Sequence, residues 1–414
     1  MNGNPNDEHS AVVVTGIGVV SPIGNGVQKF WPAVLAGISG IDDIRSFDTS
    51  GFRTHRGGEV DCLGLTEYLS PDILSQRVGK GSVFAVASTK MAIADAGIDL
   101  TTVDPVRIGI CCGTTMGECQ ILEKVDEQFV HSRSDEIEFE GLKYYPPQLI
   151  PANVALEIGA CGPIHMITTA CAAGNYAIGY AADLLCAGVI DVAVAGGVDP
   201  LSRVAFTGFN SMLAVSPDMC RPFDLHRRGI LLSEGCGMLV LERASSAQER
   251  GAPIYAEIAG YGISNDAYHM TSPHPRAQGA INAMRSALRE ADISPNDVDY
   301  ISAHGTGTPA NDKVETYAIK EVFQKRAFAI PVSSIKSMIG HTMGAASAIE
   351  AAVCALAIRY SEIPPTVNYA TPDPACDLDY VPNTARKVEV SVALSNAFAF
   401  GGNCSALLLR RFAQ

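Results

Sequence analysis

The sequence predicts an α/β fold made of two similar halves, and two observations support that prediction. Short apolar runs of strand length alternate along the 414 residues with segments of helix length, a pattern typical of parallel sheets covered by helices on both faces. In addition, residues 91–117 resemble residues 286–308, and residues 167–185 resemble residues 332–356. These separations are far longer than a solenoid repeat, so they indicate duplication of a whole half of the chain.

The elements of each half follow in chain order. Both members of the first pair begin as an Ala-rich helix, pass through a short turn containing Asp, form a strand and end in a Gly-Thr loop. Both members of the second pair run from a strand through a turn of small residues into a long helix. We therefore expect halves of residues 1–257 and 258–414, packed face to face with their turns converging on one site. The predicted strands lie at 11–15, 107–112, 164–169, 191–195, 254–261, 298–303, 330–335 and 392–396.

Composition and charge limit the classes of function. The formal net charge of −14 argues against a general nucleic-acid surface. The polar N-terminus does not read as a targeting signal, and no long apolar run lacks polar or Gly-Pro interruptions, so we expect a cytoplasmic protein without a membrane span. The twelve cysteines are scattered without a CxxC pair, which favours reduced, buried thiols and argues against a structural zinc site.

Cys171 stands at the junction of a predicted strand and a predicted helix, in the stretch TTACAAG. One interpretation is a small buried residue that fills a tight corner, as most intracellular cysteines do. The other is a nucleophile, because unpaired N–H groups and the positive end of the helix dipole favour the thiolate and can bind a developing oxyanion. The position alone leaves both interpretations open.

Two histidines occupy corresponding places in the duplicated pattern. His304 follows a strand in AHGTGT, and His341 follows Lys336 in KSMIGHTMGAA. A lone histidine at a strand end is often structural, but two of them beside one strand–helix cysteine point to a shared site. Thr306 and Thr308 are either ordinary turn hydroxyls or the lining of a narrow polar channel.

A third glycine-rich stretch lies near the C-terminus, in LSNAFAFGGNCS. A strand passes Phe398 and Phe400, turns at a pair of glycines, and returns as a second apolar strand. The pattern is either an ordinary hairpin or a way to present backbone N–H groups beneath a bulky, movable side chain.

Taken together, the motifs TACAAG, AHGTGT, KSMIGHTMGAA and FAFGG resemble those of the β-ketoacyl-acyl-carrier-protein synthases, the decarboxylating condensing enzymes of the thiolase superfamily. The similarity is greatest to the synthase II type and to the ketosynthases of type II polyketide systems. It covers essentially the whole chain, and AGGVD, RPFD and DAYHMTSP add to it.

The resemblance implies a five-layer αβαβα thiolase fold, usually dimeric, and an acyltransferase activity. It makes Cys171 the nucleophile that carries the acyl group as a thioester. His304 and His341 fall on the histidines that assist decarboxylation of malonyl-acyl-carrier protein and stabilise its enolate, which attacks the acyl group and releases carbon dioxide. Lys336 corresponds to the active-site lysine of the family and Glu350 to its supporting acidic residue.

The same resemblance assigns contacts with substrate. Thr306 and Thr308 match threonines that hydrogen-bond the phosphopantetheine arm, and Met116 matches a residue that lines the acyl pocket. Phe400 matches the gatekeeping phenylalanine, with Phe398 beside it, and the N–H groups of Cys171 and Phe400 would form an oxyanion hole. The expected partners are acyl carrier protein and either a second copy of the chain or a homologous chain-length-factor subunit, with no cofactor and no metal.

The sequence departs from the family pattern in places that affect the choice of partner. Ala173 replaces a frequent Ser, and Asn403 and Cys404 stand where Thr and Asn are usual. The lysine-rich docking stretch is thin, and its nearest candidates are Arg77 and Lys80. These changes favour a specialised pathway such as polyene or polyketide assembly.

Two alternative functions stay open at this point. A non-catalytic chain-length factor characteristically lacks the nucleophile, whereas the cysteine and both histidines are present here. A non-decarboxylating thiolase needs a second catalytic cysteine in a Cys-x-Gly setting, whereas Cys404 is followed by Ser-Ala.

Overall fold

The computed structural model describes residues 11–75, 78–131 and 139–413. The strands are β1 (Val12–Val20), β2 (Ile41–Asp43), β3 (Arg56–Gly58), β4 (Ile108–Gly113), β5 (Ile164–Ile167), β6 (Val192–Asp199), β7 (Gly235–Arg243), β8 (Ala256–Asn265), β9 (Tyr300–Ser302), β10 (Val332–Ser333), β11 (Glu362–Ile363), β12 (Arg386–Lys387), β13 (Val392–Phe398) and β14 (Asn403–Arg410). The α-helices are α1 (Val27–Leu35), α2 (Pro71–Ser75), α3 (Lys80–Ala96), α4 (Cys119–His131), α5 (Leu149–Ile158), α6 (Ala173–Cys186), α7 (Arg203–Ser211), α8 (Ala244–Glu249), α9 (Gln278–Glu290), α10 (Pro309–Phe323), α11 (Lys336–Ile339) and α12 (Ala346–Tyr360).

A ten-stranded mixed sheet contains the duplicated halves in the same strand order. The first half contributes β5-β4-β6-β7-β1 and the second contributes β10-β9-β13-β14-β8. In each half the first three strands run parallel to one another, and each of the last two is antiparallel to the strand before it in this order. The halves join where β1 pairs with β8 over three residues, Val12–Val14 against Ala256–Ile258. The predicted boundary between residues 257 and 258 falls inside β8, and the division into domains stays a prediction.

The side chains of β7 show that this sheet is covered on both faces. Leu239 and Leu241 pack with α6 and α12, whereas the alternate residues Cys236 and Met238 pack with α3 and α5. Alternating side chains of a strand point to opposite faces, so one helix layer lies on each side.

The second half repeats this arrangement around the same central helices. In β14, Leu407 and Leu409 pack with α6 and α12, and Ala406 and Leu408 pack with α9 and α10. Helices α6 and α12 therefore lie between the two halves of the sheet, and the layers follow the order helix, sheet, helix, sheet, helix. The predicted α/β class and five-layer arrangement are confirmed.

One glycine controls how closely the central layer approaches β4. A Cβ atom on Gly113 would lie 2.4 Å from the carbonyl carbon of Ala173, closer than side chains pack in proteins. The absence of a side chain at Gly113 therefore lets α6 begin directly against the end of β4.

The stretch Met343–Tyr360 is long and apolar enough, by length and composition alone, to cross a membrane, and it is the one such helix among the described residues. Of that window, 89% is buried inside the fold. Such burial is typical of a core helix, which passes the same test of length and composition.

Candidate active site

Cys171 lies in a tight turn between β5 and α6. The strand ends at Ile167, Ala170–Ala172 forms a single 3-10 turn, and α6 begins at Ala173. Ala170 adopts φ = 52°, a left-handed conformation that is unfavourable for alanine and that holds the turn sharp. The structure thus places Cys171 at the predicted strand–helix junction, where its exposed fraction is 6%.

A cavity of about 390 Å³ brings most of the predicted site residues together. Both halves of the chain contribute to it. The predicted residues that line it are Cys171, His304, Thr306, Thr308, His341, Phe398 and Phe400. Met116 does not line this cavity but packs in the apolar cluster that also contains Phe400.

The rings of His304 and His341 face each other at nearly a right angle, with centroids 5.5 Å apart and an interplanar angle of 82°. The backbone N–H of Met343 donates to Nδ1 of His341 at 3.1 Å, so the neutral ring carries its proton on Nε2. By contrast, Nδ1 of His304 is buried without a hydrogen-bond partner within the described part of the chain. One histidine is thus fixed as a donor, whereas no hydrogen bond at Nδ1 sets the proton position of the other.

Burial keeps both histidines neutral. Desolvation lowers the pKa of each well below its ordinary value, and the nearby Lys336 ammonium acts in the same direction. His304 is lowered further by His341. Each neutral imidazole still carries one N–H group, which can donate a hydrogen bond to a developing oxyanion.

The backbone around His304 is held by a carboxylate that the sequence analysis did not single out. Glu315 on α10 accepts the N–H of His304 and the N–H of Gly305, both at 2.8 Å. Burial raises the pKa of Glu315 to about 7, against the opposing effect of these two hydrogen bonds. Beyond this loop the hydroxyls of Thr306 and Thr308 lie 2.9 Å apart at the cavity wall.

Lys336 and Glu350 form a buried ion pair, and each side chain is 1% exposed. Lys336 begins α11 and Glu350 lies on α12, so the pair joins two elements of the second half. Burial raises the pKa of Glu350 to about 7, and the Lys336 ammonium opposes that shift. The predicted association of these two residues is therefore present in the structure.

Burial also controls the protonation state of Cys171, the predicted nucleophile. It raises the pKa of the Cys171 thiol to about 12, although the Lys336 ammonium lowers it. The position at the start of α6 favours the thiolate, as the sequence suggested, but desolvation outweighs that effect. Cys171 is consequently a protonated thiol in the resting protein at neutral pH, and its proton must leave when it reacts.

Asp199, at the end of β6, joins the two halves behind the cavity. Its carboxylate accepts the hydroxyl of Thr114 at 2.7 Å and the N–H groups of Thr115, Met116 and Gly344 at 2.7, 2.8 and 2.6 Å. These bonds fix the loop after β4 against the turn that follows His341. The motif AGGVD contains this residue, but the sequence carries no local signal for such distant donors.

The predicted gate rests on a second aromatic ring that sequence reasoning missed. Phe400 stacks on Phe209 of α7, with centroids 5.3 Å apart and planes inclined by 23°. Gly401 and Gly402 follow with φ = 77° each, a left-handed conformation that suits glycine and allows the chain to reverse. Met270 accepts the N–H of Gly401 at 2.8 Å, which ties this turn to the loop after β8.

Of the two residues that the sequence suggested for carrier-protein docking, the structure describes only one. Arg77 lies outside the described residues. Lys80 places Nζ 2.6 Å from Oε1 of Glu234, a carboxylate that is fully buried. Its charge is already neutralised by that ion pair, so we do not assign Lys80 to docking.

The five-layer fold and a buried cavity containing a cysteine and two neutral histidines define a condensing acyltransferase of the thiolase superfamily. The family model described as "Beta-ketoacyl synthase, N-terminal domain" matches residues 9–247, and "Beta-ketoacyl synthase, C-terminal domain" matches residues 255–370. The chain belongs to the β-ketoacyl synthase family.

Relatives from fatty-acid and polyketide systems are similar over nearly the whole chain. The "3-oxoacyl-[acyl-carrier-protein] synthase 2" of Staphylococcus aureus (strain COL) is 38% identical, over 98% of this chain and 99% of its own. The "Granaticin polyketide putative beta-ketoacyl synthase 1" of Streptomyces violaceoruber is 41% identical, over 97% and 98%. The solved structure "The ishigamide ketosynthase/chain length factor" matches with a TM-score of 0.93 and 39% identity, over 97% and 99%. The predicted family and enzyme class are confirmed, as is condensation in fatty-acid or polyketide elongation.

Proposed function

We propose that the protein accepts an acyl group from acyl carrier protein on Sγ of Cys171 and condenses it with malonyl-acyl-carrier protein. The single observation that supports this assignment is the cavity in which Cys171 lies with two neutral histidines. In the overall reaction, malonyl loses its carboxylate as carbon dioxide and its α-carbon forms a bond to the acyl carbonyl. The bond from that carbonyl to Cys171 then breaks, and the β-ketoacyl group leaves on the carrier protein.

Acylation begins from a protonated thiol. Because burial raises the pKa of Cys171 to about 12, a base must take the proton as sulfur attacks the incoming thioester. Nδ1 of His304 has no hydrogen-bond partner among the described residues, whereas Nδ1 of His341 is occupied by Met343. We therefore assign proton transfer to His304, with the Lys336 ammonium favouring the transient thiolate. The bond from the acyl carbonyl to the carrier's sulfur then breaks, and the departing carrier thiolate takes the proton from His304.

Decarboxylation places negative charge on the oxygen of the malonyl thioester. Nε2–H of His341 is fixed as a donor by the hydrogen bond at its Nδ1 and is suited to stabilise that enolate. A preorganised donor of this kind is worth about 3 kcal/mol of the barrier in comparable oxyanion sites. The backbone N–H groups of Cys171 and Phe400 are assigned to the second oxyanion, the tetrahedral intermediate on the acyl carbonyl.

The remaining predicted residues guide the substrate. Thr306 and Thr308 place hydroxyls at the cavity wall, where they can bind the amides of a phosphopantetheine arm. Phe400 and Phe398 line the same cavity and are assigned to the gate, and Met116, which packs in the apolar cluster that also contains Phe400, is assigned to the acyl pocket.

The proposed partners are acyl carrier protein and one homologous subunit. The Staphylococcus aureus relative is named for acyl carrier protein, and the ishigamide structure pairs a ketosynthase with a chain length factor. Because Cys171, His304 and His341 are all present here, this chain is assigned to the ketosynthase role in such a pair. A cytoplasmic location and the absence of any cofactor besides the carrier's phosphopantetheine are part of the same proposal.

Intact-protein mass spectrometry tests the assignment. Wild-type protein, with and without a homologous partner subunit, is mixed with octanoyl-acyl-carrier protein and compared with Cys171→Ala and Cys161→Ala. Cys161 is an exposed cysteine, so its variant is the matched control. We expect an octanoyl increment on wild type and Cys161→Ala only. An increment on Cys171→Ala would contradict the assignment.

Release of labelled carbon dioxide from malonyl-acyl-carrier protein tests the histidines separately. We expect His341→Ala to lose decarboxylation while still accepting an acyl group on Cys171. Unchanged decarboxylation in that variant would rule out His341 as the enolate donor.

A further inference from the structure

We propose that Arg228, at the mouth of the active-site cavity, binds the phosphate of the phosphopantetheine arm. This inference rests on the proposed function, because it concerns the arm that delivers the acyl group to Cys171. Arg228 lines the same cavity as Cys171, yet its side chain is 60% exposed whereas the exposed fraction of Cys171 is only 6%. The guanidinium therefore lies at the outer end of the path and the thiol at its inner end.

The acidic neighbour of Arg228 is already occupied. Both oxygens of Asp218 accept hydrogen bonds from Arg221, each at 2.9 Å, and Oδ1 also accepts the N–H of Met219. Arg228 approaches Asp218 only to 3.6 Å, too far for a hydrogen bond. Two guanidinium groups share one carboxylate, so this group of three side chains carries a net positive charge and Arg228 keeps donors for a ligand.

The preceding residue shows what a structural arginine looks like in this segment. Arg227 is 2% exposed in its side chain and donates to Asp373 at 2.7 Å. Arg228 has neither the burial nor the close carboxylate of its neighbour, so its ion pair with Asp218 at 3.6 Å leaves guanidinium donors for a ligand.

Neighbouring groups at the mouth provide further hydrogen-bond donors. Nδ1 of His269 accepts the N–H groups of Thr271 and Ser272, both at 3.1 Å, so the neutral ring carries its proton on Nε2. Ser272, which has a hydroxyl of its own, lines the same cavity. A planar guanidinium and such donors together can hydrogen-bond the oxygens of one phosphate.

One carboxylate lines this cavity among the described residues, that of Asp266, and it forms no ion pair with Arg228. Asp266 accepts the N–H of His274 at 2.9 Å and the N–H of Gly279 at 2.8 Å, so it is engaged by backbone donors of its own loop and of α9. Because Arg228 stands on the route to Cys171, the anion that it selects is the phosphate of the acyl-bearing arm.

The phosphate contact is tested with two small thioesters that differ only in whether they carry the phosphate. Octanoyl-phosphopantetheine and octanoyl-pantetheine are each mixed with wild type, Arg228→Ala, Arg228→Lys and Arg45→Ala, and the rate of acylation of Cys171 is followed by mass. Arg45 is a matched control because its side chain is 79% exposed and paired with Asp42.

We expect Arg228→Ala to slow acylation by octanoyl-phosphopantetheine about tenfold, the usual size of a lost charge-assisted hydrogen bond, and to leave octanoyl-pantetheine unchanged. Arg228→Lys should retain part of the preference, and Arg45→Ala all of it. Equal slowing with both thioesters, or no slowing with either, would overturn the phosphate assignment. Wild type that accepts neither thioester nor octanoyl-acyl-carrier protein would instead overturn the proposed function, and this inference with it.

Discussion

The ring of Phe209 stacks on the ring of Phe400 at a centroid distance of 5.3 Å, and this contact holds the predicted gate against α7. The turn that follows Phe400 contains two glycines in left-handed conformations and is tied to the loop after β8 through the N–H of Gly401. The backbone of the gate is therefore held by this turn, whereas its ring rests on a side chain far away in the sequence.

Replacing Phe209 by Leu should loosen the gate. An aromatic pair of this geometry contributes about 0.5–1.5 kcal/mol beyond its buried area, so the population of the open gate should rise by about twofold to about tenfold. We expect a matching rise in decarboxylation of malonyl-acyl-carrier protein in the absence of an acyl primer, measured as carbon dioxide release. Phe129→Leu, at an exposed aromatic residue, is the control. A fall in primer-independent decarboxylation would show that Phe209 does not restrain the gate.

The pH dependence of alkylation should report the protonated state of Cys171. Since burial raises the pKa of the thiol to about 12, the thiolate fraction rises about tenfold for each unit of pH between 7 and 10. Iodoacetamide should therefore modify Cys171 at a rate that climbs through this range without a plateau, measured peptide by peptide. Exposed Cys161 in the same samples reports the behaviour of the reagent. A plateau below pH 9 would mean that the start of α6 and Lys336 outweigh burial.

Breaking the Lys336–Glu350 pair should destabilise the fold more than removing both charges. Lys336→Met leaves a carboxylate buried without its partner, a change that costs about 3–5 kcal/mol in comparable pairs. Adding Glu350→Leu should recover much of the loss, because a buried pair can often be replaced by apolar side chains of similar volume. The thermal unfolding midpoint is the measurement.

Lys387→Met is the control for that comparison, because Lys387 is 87% exposed and lies 3.8 Å from Glu362. Equal midpoints for the single and double variants would contradict the expected order. Both variants should lack condensation activity, so the midpoint and not the activity decides the question.

Asp199→Asn should disturb the site without touching the substrate. The amide offers one oxygen where the carboxylate offers two, and its NH₂ would face N–H groups that now donate to Asp199. Each donor left unsatisfied costs about 1–3 kcal/mol, and the turn at Gly344 positions the segment after His341. We expect a lower unfolding midpoint and a reduced kcat for condensation, with acyl binding less affected. Asp42→Asn, at a side chain that is 73% exposed, should change neither quantity.

Much of the fold and the centre of the site followed from sequence, because both carry local signals. The repeated helix–turn–strand pattern of residues 91–117 and 286–308 predicted the duplication that the sheet order shows. Cys171, His304 and His341 each stand in a turn of small residues, and the structure brings these turns to one cavity. The Lys336–Glu350 association came from the resemblance, since fourteen residues separate them in sequence.

The features that sequence reasoning missed depend on contacts between distant segments. Phe209 reads as an ordinary apolar residue of a helix, and only the fold brings it against Phe400. The Asp199 carboxylate accepts hydrogen bonds from residues of two separate loops. The pairing of β1 with β8, which joins the halves, spans only three residue pairs. The raised pKa of the Cys171 thiol has a related cause, because local position indicates the helix end whereas the surrounding fold determines desolvation.

The sandwiching of α6 and α12 between the two halves of the sheet has a consequence for motion. Amide hydrogens in these helices should exchange with solvent only when the whole molecule opens, because no layer can be removed from them alone. Cys171 stands at the start of one of these helices and Glu350 lies within the other, whereas Phe400 belongs to a turn near the surface. The sulfur of Cys171 is thus attached to a part of the protein that we expect to fluctuate slowly, and a movement of Phe400 need not shift it.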